Sequence, residues 1–385
     1  MYYAGLDLHR RYFTLCVLTS EGQVVLDHRR LPAELEPLTS ILRDLDGQVT
    51  VVVEATLQWA WLHDRLTEAG VTVRVADPRQ VKLISHARCK TEPIDARKLA
   101  DLARTNLLPT IWVATPEIRA WRQLLRGRAT LVRWRTRAKN RIHGALAAEN
   151  LRVGATDLFG RAGREWLDRA PVTPGTRREI TVQLALIAAL EEQLRGYDTE
   201  VKRLAKHPDA QRLQTIPGIG PFGAALLVGE IGDIARFPTA HEFTAYAGLV
   251  PSTRSSGDKA AHGTVGRENN HWLKWILIEA VQTLKQVPGP VRFHYERLLR
   301  AKGKPKATVA AARKLALYIY WIWRQGLSYP QWLDLEAKRV GCPMQTLASS
   351  ASRCGIADNP RGTPPSNDVR VLVGTERRLK LGFGR

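Results

Sequence analysis

Four carboxylates stand at the ends of strand-like or helix-like segments in the first third of the chain. Asp7 and Glu54 each end a short apolar run, and Glu92 and Asp95 open a helix with i, i+3 spacing on one face. Carboxylates that converge without basic partners repel one another unless cations lie between them. Hard oxygen ligands favour Mg²⁺ or Mn²⁺, and two such ions support phosphoryl transfer. For any one of these acids alone, a helix cap or dipole partner is the alternative.

A second chemical feature is a stretch of nine cations without a single acid. Its members are Arg119, Arg122, Arg126, Arg128, Arg133, Arg135, Arg137, Lys139 and Arg141. A solvated helix face normally mixes both signs of charge, so this stretch predicts contact with nucleic-acid phosphates, which arginine forks match in geometry. Trp121 and Trp134 are interleaved, and either packs in the core or stacks on bases.

A glycine-rich turn, Gly218-Ile219-Gly220-Pro221-Phe222-Gly223, satisfies the G-x-G-x-x-G pattern. No convincing strand precedes it and no βαβ pattern surrounds it, so a dinucleotide site is rejected. The spacing favours a helix-hairpin-helix in which Gly218 and Gly220 let backbone N–H groups approach a phosphate. A plain tight turn between helices is the alternative.

The segment from Pro251 to Asn270 is rich in Gly, Ser and Asn. By local sequence alone it predicts a polar loop, and Ser255 and Ser256 in it are turn formers. Arg254, Lys259 and Arg267 lie in the same segment and are candidate nucleic-acid-binding cations.

Composition limits the protein classes. The chain has 385 residues, 44% of them hydrophobic, and a formal net charge of +21. That length predicts two to three domains, and that charge predicts a polyanionic partner, either nucleic acid or an anionic membrane surface. No apolar run is long enough to span a bilayer, so an integral membrane protein is excluded. The N-terminus lacks the features of a secretion signal, and the four cysteines form no C-x-x-C pair. These features favour a reducing cytoplasm.

The order of elements predicts an α/β domain followed by helices. Three strands, a helix, and then alternating strands and helices are typical of a ribonuclease-H-like domain, in which the first and fourth strands are neighbours. Asp7 and Glu54 would then lie side by side. We predict an α/β domain over 1–112, a basic helical or coiled-coil region over 113–205, a mainly helical domain over 206–340, and a basic, partly disordered tail over 341–385.

These motifs together resemble the DEDD transposases of the insertion-sequence 110 and 1111 families. The resemblance rests on Asp7-Leu8-His9-Arg10, Glu54-Ala55-Thr56, Asp77-Pro78, Lys90 to Ala96, Arg137 to His143, and the Ser-Ser-Gly block at 255–257. It covers about residues 1–340. The order of acids, basic helical spacer and serine block in one chain is more specific than any single motif.

The resemblance implies a RuvC-like domain whose Mg²⁺-binding tetrad falls on Asp7, Glu54, Glu92 and Asp95. It implies a catalytic serine, assigned to Ser256 with Ser255 as the second choice, that forms a covalent link to DNA. It further implies donor and target DNA, a structured guide RNA, and dimers that assemble into a tetramer whose sites combine tetrad and serine from different protomers. Glu92 replaces the family's usual Asp, and its extra methylene displaces the carboxylate by roughly 1 Å.

Two alternatives remain at this point. The first is a metal-dependent nuclease that resembles Holliday-junction resolvases and uses water as the nucleophile, so that it needs the tetrad but not the serine. The second is a nucleic-acid-binding relative that has lost activity, for which Glu92 is the sequence hint.

Overall fold

The chain divides into two compact units, Met1–Thr115 and a second unit that begins at Pro116. The computed structural model describes residues 1–56, 58–84, 92–152, 154, 157–256, 259–265 and 269–340. The tail predicted over 341–385 lies outside the described residues. Within the described part of the chain, no helix is long and apolar enough to cross a membrane.

The first unit is an α/β structure, as predicted. Its strands are β1 (Tyr2–Leu8), β2 (Tyr12–Thr19), β3 (Val24–Pro32), β4 (Val49–Glu54) and β5 (Thr72–Ala76), and its helices are α1 (Leu35–Arg43), α2 (Trp59–Glu68), α3 (Pro78–Ile84) and α4 (Glu92–Arg104). The strands form one sheet in the order β3-β2-β1-β4-β5. β1 and β2 are antiparallel, as are β2 and β3, whereas β1, β4 and β5 run parallel. The expected pairing of the first and fourth strands is therefore confirmed.

Each face of this sheet is covered by different helices. Leu38 of α1 and Leu62 of α2 join one apolar cluster with alternate residues of β1, β2 and β4. On the other face, Ala96 and Ala100 of α4 pack against Cys16 of β2. Alternation of side chains along a strand thus assigns Gly5 and Asp7 of β1 to the face that α4 covers.

Close approach of α4 to the sheet depends on Gly5. A Cβ at this position would lie 2.0 Å from the Ala96 carbonyl oxygen and 2.8 Å from the Ala100 nitrogen, both of which belong to the backbone. Only a residue without a side chain permits this approach, so Gly5 determines how near α4 comes to β1.

We expect Gly5→Ala to destabilise the first unit by about 3 kcal/mol, because neither backbone can move aside without disrupting packing. The measurement is differential scanning calorimetry of the full chain, with hydrogen exchange of β1 to assign the transition. Gly144→Ala is the matched control, since no atom lies within 4 Å of its added Cβ and alanine favours the helix. Unchanged stability of Gly5→Ala would contradict the placement of α4.

The second unit is helical apart from one hairpin. Its elements are α5 (Pro116–Ala148), α6 (Arg161–Arg169), α7 (Pro174–Leu204), α8 (Pro208–Gln214), α9 (Pro221–Ile231), a 3₁₀ turn (Ile234–Arg236), α10 (Ala240–Tyr246), β6 (Pro251–Ser256), β7 (Lys259–Val265), α11 (His271–Leu284), α12 (Pro290–Lys302), α13 (Lys304–Gln325) and α14 (Tyr329–Val340). The helices from α8 to α14 together form the main hydrophobic core of the unit. The predicted helical character of the middle and C-terminal regions is confirmed.

The two long helices α5 and α7 pack against each other within the chain. Arg128 of α5 bonds to Asp198 of α7 at 2.7 Å, and Arg141 bonds to Glu179 at 2.6 Å. The two helices are therefore antiparallel, because a residue further along α5 bonds to a residue that comes earlier in α7. The apolar stripe of α7 is therefore largely used inside the chain, where Ile187 is fully buried.

The prediction of a polar loop from Pro251 to Asn270 is wrong over most of its length. β6 and β7 pair as an antiparallel two-stranded hairpin, with Pro251 opposite Val265 and Ser256 opposite Lys259. The sequence did not predict a hairpin here because the segment lacks the alternation of apolar and polar residues that a half-buried strand usually shows.

Candidate functional site

Asp7 and Glu54 occupy equivalent positions at the same end of two paired parallel strands. The register pairs Gly5 with Val52 and Leu6 with Val53, so the next step along both strands brings Asp7 beside Glu54. Val52 packs against α4 in the apolar cluster on that face of the sheet. Strand alternation places Glu54 on the same face as Val52.

α4 runs antiparallel to β1, which determines where its acidic end lies. At its C-terminal end, Arg104 donates to the Ser20 carbonyl at 3.4 Å, next to the strand end where Tyr2 pairs with Thr19. Near its N-terminal end, Ala96 contacts Gly5. The first turn of α4, which carries Glu92 and Asp95, is therefore directed toward the strand ends that carry Asp7 and Glu54.

Two of the candidate acids, Asp7 and Asp95, have basic neighbours in this structure. Asp7 Oδ2 lies 3.2 Å from His9 Nε2, and Asp95 Oδ1 lies 3.3 Å from Lys98 Nζ. Both carboxylates are about one-quarter exposed. Among the residues whose side chains are described, which do not include Glu92, no group of three or more His, Cys, Asp or Glu residues could hold a metal ion. The carboxylate oxygens of Asp7, Glu54 and Asp95 nevertheless suit a hard cation by their chemistry.

The candidate nucleophiles lie at the tip of the β6–β7 hairpin. Ser256 is the last residue of β6 and pairs with Lys259, while Ser255 pairs with Ala260 and Arg254 with Ala261. Arg267 lies outside the described residues. The hairpin therefore places the backbone of both serines and of two predicted phosphate-binding cations, Arg254 and Lys259, on adjacent strands.

Several cations of α5 bind protein groups rather than lying free on a helix face. Arg122 donates to the carbonyls of Gly229 at 2.7 Å and Glu230 at 3.0 Å, which are at the C-terminal end of α9. Burial lowers the pKa of the Arg122 guanidinium below its ordinary value. Arg126 forms two bonds of 2.7 Å with the carboxylate of Glu230. Arg128 is bonded to Asp198. These arginines hold α5 to α7 and α9.

Further along α5, the cations face an open groove of about 660 Å³ between α5 and α11. Its lining consists of Val132, Arg133, Thr136, Arg137, Asn140, Arg141, Trp275 and Glu279. Three arginines at successive i, i+4 positions therefore share one face. The Arg133 guanidinium lies 4.6 Å from the ring centroid of Trp272 and 5.5 Å from that of Trp275. Among the described residues, no acid forms an ion pair with Arg137.

The other predicted binding residues of α5 differ in their surroundings. Lys139 Nζ lies 4.6 Å from the ring centroid of Phe159. Trp121 packs against the core of the second unit, whereas Trp134 is more than half exposed. Arg119, near the start of α5, also has a partner within the protein.

The glycine-rich turn connects α8 to α9, in agreement with the rejection of a dinucleotide site. Gly218 has φ +86°, and a Cβ there would lie 2.7 Å from the Ala280 carbonyl of α11. Both the positive φ and the close packing against α11 therefore require glycine at position 218. Gly220 is the exposed N-cap residue of α9, and a Cβ there would meet no atom within 4 Å.

Glu230 is a residue whose importance was not inferred from the sequence. It is fully buried, accepts both bonds from Arg126, and accepts a 2.8 Å bond from Asn270 Nδ2. A signal was present, because Glu230 is the single charged residue in the otherwise apolar helix α9. A lone acid in such a helix indicates a buried polar contact.

Two family models match separate parts of the chain. Residues 4–150, which include the four acids and all of α5, match the transposase model for DEDD enzymes of the IS110 type. Residues 210–296, which include the hairpin with Ser256, match the model described as the transposase IS116/IS110/IS902 family. Together the two matches take in more than half of the chain.

Curated relatives match over most of their length. A transposase for insertion sequence element IS1111A from Coxiella burnetii is 26% identical over 82% of this chain and 88% of its own. A protein of insertion element IS110 from Streptomyces coelicolor is 28% identical, with 85% and 95% covered. A transposase for insertion sequence element IS1328 from Yersinia enterocolitica is 26% identical, with 73% and 83% covered. The chain belongs to the DEDD transposases of the IS110/IS1111 family and is a DNA transposase.

Proposed function

We propose that this transposase cuts and rejoins DNA through a serine-linked phosphodiester, with Mg²⁺ or Mn²⁺ held by Asp7, Glu54, Glu92 and Asp95. The observation that carries the proposal is the placement of the first turn of α4 toward the ends of β1 and β4. The strand order, with β1 central between antiparallel β2 and parallel β4, supports a ribonuclease-H-like fold for this unit.

The chemical step assigned to Ser256 is a transesterification. Its Oγ attacks a DNA phosphorus, a Ser–O–P bond forms, and the P–O bond to the leaving sugar oxygen breaks. The serine proton leaves to a base, and the departing sugar oxygen takes a proton. Rejoining reverses these changes with a new DNA hydroxyl as the nucleophile. Arg254, Lys259 and Arg267 stabilise the charge that develops on the phosphoryl oxygens.

A divalent cation bound by the tetrad would neutralise phosphoryl charge and favour ionisation of a bound hydroxyl group. The chain's part is to hold four carboxylates at one end of the sheet. Asp7 and Glu54 are held by strand pairing and Asp95 by the packing of α4. Binding of the cation would have to compete with His9 and Lys98, which now neighbour Asp7 and Asp95.

The nucleic-acid partners are donor and target DNA and, by resemblance to the family, a structured guide RNA. The groove between α5 and α11 is the phosphate-binding surface we favour, because Arg133, Arg137 and Arg141 line one face of it. The turn between α8 and α9, with exposed Gly220, is a second surface for a phosphate. A homo-oligomer is part of the proposal, and the exposed Val182 and Leu186 of α7 offer an apolar contact for it.

We expect Arg137→Ala to weaken DNA or RNA binding by up to about tenfold, because one phosphate contact is removed. For the same reason, the slope of the logarithm of the binding constant against the logarithm of the salt concentration should fall in magnitude by about one. The measurement is fluorescence anisotropy at several salt concentrations. Arg195→Ala, which removes an exposed arginine that pairs with Glu192 on α7, is the matched control. If the salt dependence of binding is unchanged in Arg137→Ala, the groove does not bind the phosphate backbone of the nucleic acid.

The experiment that tests the function uses the full chain, DNA carrying the element's ends, its non-coding RNA, and Mg²⁺. The expected result is a protein–DNA adduct that survives denaturation, followed by strand exchange. Cleavage without an adduct would favour the nuclease that uses water. If the unaltered protein binds DNA without cleaving it, and the Glu92→Asp variant also fails to cleave, the result would favour a relative that has lost activity.

A further inference from the structure

Glu230 connects three separate elements of the second unit. Its carboxylate lies fully buried in α9 and accepts two 2.7 Å bonds from Arg126 of α5. The same carboxylate accepts a 2.8 Å bond from Asn270, the N-cap residue of α11. A buried carboxylate is costly unless it is paired and hydrogen-bonded, and here one charged and one neutral partner satisfy it.

Asn270 is held by more than this one bond. Its Oδ1 accepts from the backbone N–H groups of Trp272 at 3.1 Å and Leu273 at 3.2 Å. Its own backbone N–H donates to the Tyr246 carbonyl at 3.0 Å. Because one amide side chain both caps α11 and donates to Glu230, its orientation is determined from two sides.

Both ends of the β6–β7 hairpin meet at this point. Tyr246 ends α10, shortly before β6 begins at Pro251, and Asn270 follows β7 and precedes α11. Gly248 has φ +68°, and a Cβ there would lie 2.2 Å from Cγ of Asn269. The chain entering the hairpin is therefore in close contact with the chain leaving it.

We infer that Glu230 is a positioning residue for the serine-bearing hairpin. Through Asn270, which also bonds to the Tyr246 carbonyl, it holds the two ends of the hairpin together, and through Arg126 it fixes them to α5, so that it places the strand that carries Ser256. This inference rests on the proposed function for its effect on DNA cleavage. Arg126 lies on α5, the helix that also carries the arginines of the proposed nucleic-acid groove, so one helix contacts both the groove and the base of the hairpin.

The test exchanges the donor and acceptor groups of one bond. In Glu230→Gln, one acceptor oxygen remains for the donors of Arg126 and Asn270, and the new amide N–H faces another donor. In Asn270→Asp, two carboxylates face each other, although aspartate still caps α11. In the double variant E230Q/N270D, the glutamine donates to the aspartate, the cap remains, and the net charge of the pair is restored.

The first measurement is the single-turnover rate of adduct formation at saturating DNA, with the Kd for DNA measured separately. Each single variant is expected to slow the reaction at least about tenfold, equivalent to ~1.4 kcal/mol, with unchanged Kd. The double variant is expected to recover most of the rate. Glu296→Gln, which alters an exposed acid paired with Arg292 on α12, is the control and should react normally.

The second measurement is hydrogen exchange of the segment 249–265, which does not depend on activity. We expect faster exchange in both single variants, recovery in the double variant, and no change in α12. Normal exchange in the single variants, or a double variant no better than either single one, would overturn the positioning role. If exchange follows this pattern but the unaltered protein forms no adduct, the proposed function fails and the structural role of Glu230 stands.

Discussion

Ser256→Ala is expected to abolish covalent protein–DNA adducts and to slow strand exchange by at least about a thousandfold, since alanine has no oxygen with which to form the phosphodiester. The measurement is adduct formation on denaturing gels with Mg²⁺, element DNA and the non-coding RNA. DNA binding should be unchanged, because the loss of one hydroxyl leaves the cations of the hairpin in place.

The neighbouring serine provides the control for this experiment. Ser255→Ala alters the preceding residue of the same strand, opposite Ala260 rather than Lys259, and should retain adduct formation. Adducts that persist in Ser256→Ala and disappear in Ser255→Ala would move the nucleophile by one residue. Adducts that persist in both variants would exclude the Ser-Ser-Gly block as the source of the nucleophile.

Asp7→Asn is expected to remove metal-dependent cleavage to at least a similar extent, about a thousandfold or more. Asparagine keeps the size of the side chain but loses the negative charge that a cation requires, so the sheet should fold as before. Cleavage is measured across Mg²⁺ and Mn²⁺ concentrations, since weakened binding would first shift the dependence to higher metal concentration. Isothermal titration with Mn²⁺ provides a readout that does not depend on turnover.

A second aspartate in the same unit serves as the control. Asp101 lies near the far end of α4 and bonds to Arg104, so Asp101→Asn should retain cleavage and metal binding. Normal cleavage by Asp7→Asn would contradict the tetrad. If Asp7→Asn is inactive while Ser256→Ala still cleaves without an adduct, the enzyme uses water and the nuclease alternative is correct.

Much of the first unit was predictable because its strands carry strong local signals. The apolar run Val51–Val53 indicates a strand buried on both faces, and Asp7 and Glu54 follow such runs directly. Their adjacency followed from the order of elements and is confirmed by the register. The role of Gly5 was not predictable, because it depends on a contact with Ala96 far along the chain.

The hairpin was harder to predict because its strands have little hydrophobic pattern. Pro251 to Ser256 contains no apolar alternation, so local sequence alone does not identify it as a strand. The ends of the hairpin are instead held by Gly248, Asn269 and Asn270. Glycine and asparagine are common in turns of every kind, so their presence in the sequence does not reveal these contacts.

The amino-acid sequence by itself determined the chemical inventory of this transposase: the acids at strand and helix ends, the acid-free run of nine cations, and the serine beside Gly257. Only the tertiary structure decided which cations remain available to a polyanion. Arg126 is occupied by Glu230, 104 positions away, whereas Arg137 faces an open groove. The physical reason is that a helix distributes neighbouring residues over all its faces, and the partner of each face comes from distant parts of the chain.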